Sequence, residues 1–252
     1  MKLKVATYNI HSCIDTARVV DMEKIAEVIA ETGADVVALQ EVDADRPRTG
    51  GADQAKWLAK RLGMEHFFYP VVRSGTEKYG LAVLSLLPME KVKFERLPAP
   101  VARKPREVRG AMWIRLKTPA GPVNLINTHL GLRAGERRLQ IGKLLGDHWL
   151  GAVNEKQPCI FCGDFNAGIR SYVYRKVCKR FSNVQRLKGG PASPRPTFLS
   201  FYPIWCLDHI FVSDHFSLVR MEVPSTRLAR RASDHLPVFA EIRLTGGKRE
   251  KR

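Results

Sequence analysis

The sequence predicts an α/β (α+β) protein folded as a four-layer α/β/β/α sandwich, and two observations lead to that class. Apolar runs of strand length are far more frequent than helical patterns along the 252 residues. Some neighbouring strands are joined by a short turn, as at 118–122, whereas others are separated by a helix, so hairpins and crossovers are mixed. Strands connected in both ways pack as two sheets with the helices outside, and we expect the loops that carry function at one edge.

The first elements alternate between strands and helices. Residues 3–10 alternate apolar and polar side chains, as a strand does. Asp21 then stands where a helix N-cap is expected, and Gly33 where that helix ends. Residues 36–39 form a short apolar run, which predicts a buried strand, and a second helix is predicted from Asp53 to Leu62.

The rest of the chain is predicted as many strands and few helices. No internal repeat divides it, so we expect one domain over residues 1–245, followed by a disordered basic tail at 246–252. The remaining predicted strands are 66–72, 80–86, 90–97, 108–117, 122–129, 158–163, 207–213, 217–223 and 236–244, and the remaining helices are 134–150 and 171–180.

The charge of the chain is strongly unbalanced. It holds 42 lysines and arginines against 25 acidic residues, which gives a net charge of +17. An excess of this size predicts a polyanionic partner, either a nucleic acid or, as the alternative, an anionic phospholipid surface. The plainer explanation is a basic surface that only keeps the protein in solution. With 44% apolar residues, a large core is expected and global disorder is excluded.

The compartment is predicted from three features. No stretch reaches the ~18 to 20 apolar residues that a transmembrane segment needs, and the N-terminus lacks a leader pattern. Five cysteines, an odd number, suit a reducing compartment, so we predict a cytoplasmic protein. Cys159 and Cys162 form a C-x-x-C pair, but strand alternation sends them to opposite faces, which favours a structural role.

Six short polar motifs are the strongest functional signal. Each places Asn, Asp, Glu or His beside a short apolar run, and therefore at a strand end. Hard oxygen ligands and imidazoles gathered from several strand ends describe a divalent-metal hydrolytic site, and in a chain this basic the substrate would be a phosphate ester. The motifs are Thr7-Tyr8-Asn9-Ile10-His11, Leu39-Gln40-Glu41, Thr128-His129-Leu130, Gly163-Asp164-Phe165-Asn166, Leu207-Asp208-His209-Ile210-Phe211 and Ser233-Asp234-His235.

The acidic motifs also have plainer explanations. Glu41 taken alone is compatible with an ordinary exposed acid at a strand end, although the neighbouring Gln40 favours a functional role. Asp164 and Asn166 are two residues apart, so an extended chain would point both to one side. Gly, Asp and Asn also form plain turns, which is the structural alternative for this motif.

The histidines divide into two groups. His129 and His235 are candidates for proton transfer or phosphate contact, with packing in the core as the alternative. The adjacent acids in Asp208-His209 and Asp234-His235 favour imidazoles held as cations by carboxylates. The other histidines are predicted to be structural or on the surface; they are His11, His66, His148 and His215.

The order of the six motifs resembles the endonuclease/exonuclease/phosphatase superfamily, which has the deoxyribonuclease I-like fold. The resemblance extends over residues 5–244 and points to an uncharacterised bacterial-type branch. His129 is a useful departure, because abasic-site endonucleases of the superfamily carry Asn at this position. The resemblance therefore argues against abasic-site repair, and it leaves the substrate open.

The resemblance implies a metal site and a catalytic group. Glu41 would be the principal Mg²⁺ ligand, with Asn9 beside it and Asp234 assisting, and Mn²⁺ is a possible substitute. Asp164 would position or deprotonate the attacking water. Asn166 would bind a phosphoryl oxygen.

Three further side chains complete the implied set. His235 would contact the scissile phosphate and would be oriented by Asp208. His129 would donate to the phosphate or help the leaving group. A residue at the position of Tyr79 contacts the phosphate or a catalytic His in some members of the superfamily.

Basic and aromatic side chains surround these motifs in the sequence. They are candidates for substrate contact, with solvated loops as the alternative for each arginine. The aromatic stretch 198–205 would stack a base, enter a membrane interface or pack in the core. The candidates are Arg133, Arg170, Trp205, Arg227, Arg230 and Arg231, together with a second basic run of Arg103, Lys104, Arg106 and Arg109.

These observations predict an Mg²⁺-dependent phosphodiesterase that acts on DNA or RNA through in-line attack of metal-activated water. One enzymatic alternative is a phospholipid or sphingomyelin phosphodiesterase, and another is an inositol-phosphate-type phosphatase. A polyanion-binding module without catalysis is a different class. It has no need of Glu41, Asp164 and His235 together.

Overall fold

The computed structural model describes residues 1–100 and 107–245. The predicted tail at 246–252 and the basic residues Arg103, Lys104 and Arg106 lie outside the described residues. The strands are β1 (Lys2–Asn9), β2 (Val36–Ala44), β3 (Glu65–Ser74), β4 (Glu77–Ser85), β5 (Met89–Arg96), β6 (Gly110–Thr118), β7 (Gly121–His129), β8 (Cys159–Asp164), β9 (Ser182–Asn183), β10 (Asp208–Val212), β11 (Phe216–Glu222) and β12 (Val238–Leu244). The helices are α1 (Met22–Thr32), α2 (Gln54–Leu62), α3 (Ala134–Leu145), α4 (Tyr172–Val177) and α5 (Ala229–Ala232).

The strands form two six-stranded mixed sheets. The first has the order β11-β12-β1-β2-β4-β3, and the second has the order β5-β6-β7-β8-β10-β9. Each sheet contains a parallel pair, β1 with β2 and β7 with β8, and a helix connects the two strands of each pair. The other pairs are antiparallel, so hairpins and crossovers are mixed, and the four-layer α/β/β/α sandwich is confirmed.

Two apolar clusters hold the layers together. The larger one lies between the two sheets and extends to α1 and α2, while the smaller one packs the outer face of the second sheet against α3 and α4. Cys162 belongs to the first cluster and Cys159 to the second, so the C-x-x-C cysteines do point to opposite faces. Among the described residues, none of the helices combines the length and the apolar character that crossing a bilayer requires.

The helix ends follow from local signals in most cases. Asp21 accepts a hydrogen bond from the Lys24 N–H at 3.0 Å, and Gly33 is left-handed after the last turn of α1. The predicted helix 134–150 is too long, because Gly146 takes an extended conformation (φ −75°, ψ 175°) and ends α3 there. The predicted helix 171–180 is likewise reduced to one and a half turns.

A buried polar network joins the two sheets below the functional edge. Gln40 on β2 donates from Nε2 to Oδ1 of Asn127 on β7 at 2.8 Å and to Oγ1 of Thr7 on β1 at 3.0 Å. Asn127 in turn donates to the carbonyls of Leu39 and Ala82, at 2.9 Å and 3.0 Å. Gln40 is therefore a structural residue that aligns the two sheets, and it does not itself reach the functional edge.

Candidate active site

The polar motifs meet at one edge of the sandwich because of strand direction. The parallel strands β1, β2, β7 and β8 all end there, and their antiparallel neighbours β4, β6, β10 and β12 begin there. In the second sheet, Asp208, Asp164, His129 and Gly110 lie opposite one another in a single row across four strands. The first sheet contributes Asn9 and Glu41 to the same edge.

Asp164 is the centre of this arrangement. Its Oδ2 accepts a hydrogen bond from Asn9 Nδ2 at 3.1 Å and lies 3.3 Å from His129 Nε2 and 3.8 Å from His235 Nε2. Burial alone would raise the pKa of this carboxyl. The rings of His129 and His235 and the backbone N–H of Asn166 outweigh burial and hold the pKa below its usual range. Asp164 is therefore a carboxylate that accepts hydrogen bonds from Asn9 and from the Asn166 N–H and lies within 4 Å of two imidazoles.

Asp208 and His235 form a buried acid–imidazole pair. Oδ2 of Asp208 lies 2.8 Å from Nδ1 of His235 and also accepts from Thr197 Oγ1 at 2.6 Å. Burial lowers the pKa of His235, but the carboxylates of Asp208 and Asp164 outweigh it and raise that pKa to about 10. His235 is thus an imidazolium whose Nε2 points toward Asp164.

The acid–histidine partnerships differ from those predicted by sequence adjacency. Asp208 binds His235 and not its neighbour His209, which is fully buried between Ala167 O at 2.9 Å and Asn183 Nδ2 at 3.2 Å. Burial lowers the pKa of His209 to about 4, so it is a neutral structural residue. Alternation along β10 sends adjacent side chains to opposite faces of the sheet, which explains the difference.

The Gly163–Asn166 motif is a tight turn and not the extended segment that we predicted. Gly163 has φ +138°, and a Cβ built there would lie 1.9 Å from the carbonyl oxygen of Thr128. Asn166 is left-handed with φ +46°, and its N–H donates to Asp164 Oδ1 at 2.8 Å. The Asn166 amide also donates to the Leu130 carbonyl at 2.9 Å, which places it beside His129. Asp164 and Asn166 do reach one site, through the turn.

Arg109 approaches His129 from the side away from Asp164. Its Nη1 lies 2.9 Å from His129 Nδ1 and donates to Glu107 Oε1 at 3.0 Å. Arg109 is buried, and its Nε has no hydrogen-bond partner among the described residues. The prediction that Arg109 belongs to an exposed basic run is therefore wrong, because this residue precedes Gly110, which lies opposite His129 in the sheet.

Glu41 opens onto a cleft of about 320 Å³ beside this group. It is left-handed (φ +58°) within a bulge between Leu39 and Val42, which turns its side chain out of the strand alternation. Oε1 accepts a hydrogen bond from Asn9 Nδ2 at 3.0 Å, so Asn9 bridges Glu41 and Asp164. The cleft is lined by His11, Ser12, Ile14, Glu41, Arg46, Arg48, Val72, Tyr79 and Glu107.

Two arginines stand over Tyr79 in this cleft. The guanidinium carbons of Arg46 and Arg48 lie 5.7 Å and 5.6 Å from the centre of the Tyr79 ring. Arg48 binds both oxygens of the buried Asp43, at 2.7 Å and 2.9 Å, so its position is fixed. Burial, together with the charge of Glu41, raises the pKa of Tyr79 and keeps its hydroxyl protonated.

The donor set of Glu41 fits a hard divalent cation. Among the described residues, the hydrogen bond from Asn9 engages one carboxylate oxygen, and the other keeps its lone pairs for a ligand. The Asn9 oxygen accepts from the His11 N–H at 3.1 Å, so metal binding through this oxygen requires it to give up that bond. Asp234 is half-buried and lies 3.9 Å from His11 Nδ1 at the border of the cleft.

A second group could also hold a metal ion. Asp164, Asp208 and His235 bring ligand atoms within 4.8 Å of one another. These atoms already bond to each other, since Nδ1 of His235 is engaged by Asp208. Glu41, which has a carboxylate oxygen without a hydrogen bond from the described residues, fits a cation better than this group does.

The remaining candidates lie around the edge. Arg227, Arg230 and Arg231 line a cleft of about 560 Å³ next to Phe201, and Arg170 lines another of about 430 Å³ together with Trp205. Arg133 stands at the start of α3, 3.8 Å from Glu136. The core alternative for Trp205 is wrong, because its side chain is exposed.

Several site residues were not found by reasoning from the sequence. His11 was predicted to be structural or on the surface, yet it lines the Glu41 cleft. Phe198 packs on His235 with 4.7 Å between ring centres. Arg46 and Arg48 follow an acid in Asp43-Ala44-Asp45-Arg46. This pattern is as typical of a solvated loop as of a functional site. The one sequence signal for a role of His11 was its position two residues after Asn9.

This fold and this edge of carboxylates and imidazoles define a class of enzymes, the hydrolases of phosphate esters built on a four-layer sandwich. The family model described as Endonuclease/Exonuclease/phosphatase family matches residues 6–235. The chain belongs to the endonuclease/exonuclease/phosphatase family, as the order of its motifs predicted.

Solved structures with the same fold include proteins with different names. An endonuclease/exonuclease/phosphatase from Beutenbergia cavernae has a TM-score of 0.78 and 24% identity, covering 96% of this chain and 72% of that one. The human Nocturnin catalytic domain with bound sulfate has a TM-score of 0.71 and 24% identity, covering 97% and 94%. A mannosyl-6-phosphatase from Bacteroides thetaiotaomicron has a TM-score of 0.75 and 20% identity, covering 96% and 100%. At these identities the likeness is one of fold.

Proposed function

We propose that the chain is a divalent-metal-dependent phosphodiesterase whose attacking water is activated by Asp164. The observation that carries this proposal is the position of Asp164 Oδ2, which lies within 3.8 Å of a side chain from each of three separate motifs, Asn9, His129 and His235. A carboxylate held ionised beside an imidazolium can take a proton from water while the cation stabilises the phosphate.

The proposed chemistry is a single displacement at phosphorus. The oxygen of water bonds to phosphorus, the bond from phosphorus to the leaving oxygen breaks, and Asp164 takes the proton of the water. The leaving oxygen takes up a proton from solvent, and His129 is the candidate to donate a hydrogen bond to this oxygen or to the phosphate. His235 and Asn166 are assigned to the phosphoryl oxygens, where charge develops.

The metal has a separate place in this proposal. Glu41 would hold it, with Asn9 and Asp234 as the nearest further oxygen donors, and Mg²⁺ or Mn²⁺ suits such ligands. When bound, the cation supplies Lewis-acid neutralisation of phosphoryl charge. Asn9 would couple the two halves of the site, because one amide nitrogen binds both Glu41 and Asp164.

Two substrate classes have support. The net charge of +17 and the exposed Arg227, Arg230 and Arg231 favour a nucleic acid, bound through its phosphates. The exposed aromatic segment beside the same arginines favours a phospholipid. Nocturnin, the phosphatase from Bacteroides and a humanised zebrafish TDP2 share the fold under different names. The fold therefore does not distinguish these substrate classes, and the side chains on the surface around the site must do so.

A panel assay tests the chemistry. Bis-p-nitrophenyl phosphate, plasmid DNA, RNA, phospholipid vesicles and inositol phosphates would each be incubated with Mg²⁺, Mn²⁺ or EDTA. We expect metal-dependent hydrolysis that is lost in Asp164→Asn and kept in Asp214→Asn, a control after the far end of β10. Hydrolysis of none of these substrates with either metal would refute the proposal.

A further inference from the structure

Residues 201–205 form an exposed apolar loop, which we call the apolar loop. Phe201, Tyr202, Ile204 and Trp205 are 60%, 71%, 50% and 51% exposed. Large apolar side chains exposed in succession are uncommon on a soluble surface and mark a binding site. This stretch is therefore the most unusual part of the described surface.

The apolar loop is held firmly at its base. Trp205 N–H donates to the Phe198 carbonyl at 2.8 Å, and Phe198 N–H donates back to Trp205 at 3.0 Å. The Ser200 N–H donates to the Asp234 carbonyl at 2.8 Å, which ties the loop to the Ser233–His235 motif. The exposure of the loop is thus built into the backbone, and it sits directly beside the candidate active site.

Arginines border the apolar loop on two sides. Arg230 donates from Nη1 to the Phe201 carbonyl at 3.3 Å, and Arg227 and Arg231 line the same cleft as Phe201. On the other side, Arg170 shares a cleft with Trp205 and Ile204. An apolar protrusion with cations around its base matches the cross-section of an anionic membrane, where headgroup phosphates lie above the acyl chains.

The composition of the loop distinguishes a membrane from a nucleic acid. Base stacking uses aromatic faces, and three of the five side chains could provide them. Pro203 and the half-exposed Ile204 have no such face, and Ile204 gains nothing from a base. An interface between headgroups and acyl chains accommodates all five residues, because aromatic side chains favour that depth and isoleucine the region just below it.

We propose that the apolar loop inserts into anionic phospholipid membranes and that its arginines bind the headgroup phosphates. The loop would then bring a headgroup phosphodiester to Asp164 and His235, a consequence that rests on the proposed function. Membrane binding itself does not rest on it.

Binding to vesicles tests the proposal without any turnover. Full-length protein carrying Asp164→Asn, so that lipid is not consumed, would be sedimented with vesicles of phosphatidylcholine or of equal parts phosphatidylcholine and phosphatidylglycerol. We expect binding to the anionic vesicles that weakens with salt, and a blue shift of the tryptophan emission that Trp205→Ser removes. Adding Phe201→Ser and Trp205→Ser should weaken binding by roughly tenfold or more, since each side chain buries large apolar area.

Matched variants separate the loop from general charge and hydrophobicity. Leu86→Ser with Leu139→Ser removes two side chains of similar exposure, 56% and 48%, away from the loop, and should leave binding unchanged. Replacing Arg227, Arg230 and Arg231 by Gln should remove the preference for anionic vesicles. The same change at the exposed residues Lys56, Lys60 and Lys156 should not.

Two results would overturn the proposal. One is wild-type-like vesicle binding by the Phe201→Ser/Trp205→Ser protein with an unaltered far-ultraviolet spectrum. The other is a variant that no longer binds single-stranded DNA but still binds vesicles as the wild type does. That result would assign the loop to base stacking. A vesicle-binding protein that hydrolyses no phosphodiester would contradict only the proposed function.

Discussion

Nη1 of Arg109 lies 2.9 Å from Nδ1 of His129, and this contact decides which ring nitrogen carries the proton. A guanidinium has only donors, so Nδ1 must accept with its lone pair and the proton must be on Nε2. That Nε2 lies 3.3 Å from Asp164 Oδ2, which can accept its hydrogen bond, and 3.1 Å from the Asn166 amide nitrogen, which as a donor cannot. Arg109 therefore presents His129 to the reaction as a donor through Nε2.

Removal of this contact gives the first prediction. Arg109→Met should let both tautomers of His129 form, because no donor then faces Nδ1. We expect kcat to fall by roughly 10- to 100-fold, as for other orienting partners of a functional imidazole, with KM little changed. The ¹⁵N shifts of the His129 ring would report the tautomers directly. Arg109→Lys should restore part of the activity, and Arg115→Met on β6, the strand that follows Arg109, is the control. An unaltered ring spectrum in Arg109→Met would contradict the assignment.

The metal site gives the second prediction. Glu41→Gln should lose metal affinity and most activity while it keeps the fold, because the β2 residues before it are buried and unchanged. Calorimetric titration with Mg²⁺ would measure the affinity, and thermal unfolding would check the fold. Glu155→Gln, an exposed acid elsewhere, should behave as wild type. Wild-type activity that survives EDTA would rule out the metal mechanism.

The third prediction concerns the chemical step. Asp164→Asn and His235→Ala should each lower turnover by roughly 10²-fold or more, since each removes proton transfer or charge stabilisation. Substrate affinity should fall much less, because the arginines around the edge remain. Single-turnover kinetics at saturating enzyme would separate the two effects. Near-normal turnover in either variant would show that its role is wrongly assigned.

The raised pKa of His235 gives the fourth prediction. Its pKa of about 10 stands above the ordinary 6.5, so His235 is cationic across neutral pH. The Asp208 carboxylate stabilises the folded protein through its bond to the His235 cation. This contribution to the free energy of unfolding is complete below pH 6.5 and is lost as the pH rises toward 10. In Asp208→Asn the alkaline loss of kcat/KM should therefore move to lower pH. Profiles between pH 6 and pH 10 would measure it, and a profile that matches wild type would contradict the pairing.

The fifth prediction tests the turn that carries Asp164. Gly163→Ala places a Cβ against the Thr128 carbonyl at a backbone angle that essentially only glycine adopts. We expect the free energy of unfolding to fall by at least about 3 kcal/mol. Gly142→Ala in α3 meets no atom within 4 Å and should raise it by about 0.5–1 kcal/mol. Denaturant titration of both proteins gives the comparison; equal stability of Gly163→Ala and wild type would refute the steric argument.

The sequence predicted most of the fold because its signals are local. Asp21 and Gly33 delimit α1 by capping, and apolar runs locate the strands to within a few residues. The position of Asp164, Asp208 and His235 at one edge also followed, since strand direction alone brings these ends together. The end of α3 at Gly146 did not, because this helix also contains Gly135 and Gly142, so a glycine alone does not mark where it ends.

The pairings inside the site could not be derived from local patterns, and only the resemblance implied that Asp208 orients His235. Asp208 binds His235 and Arg109 binds His129, and in both pairs the partners are 20 or more residues apart. Adjacency in sequence favoured Asp208 with His209, which strand alternation separates. Register between strands settles such pairs, and no local propensity encodes it.

The hydrogen bonds of Asn127 and Gln40 have a consequence for how this enzyme tolerates change. Apolar packing between two sheets has no preferred direction, so the layers could slip past each other at little cost. The side-chain hydrogen bonds between Asn127 on β7 and Leu39, Ala82 and Gln40 in the first sheet are directional, so they fix the position of one sheet relative to the other. Glu41 and Asp164 then keep their spacing even when the surrounding apolar residues are exchanged, and the interior of the sandwich can evolve without detuning the reaction.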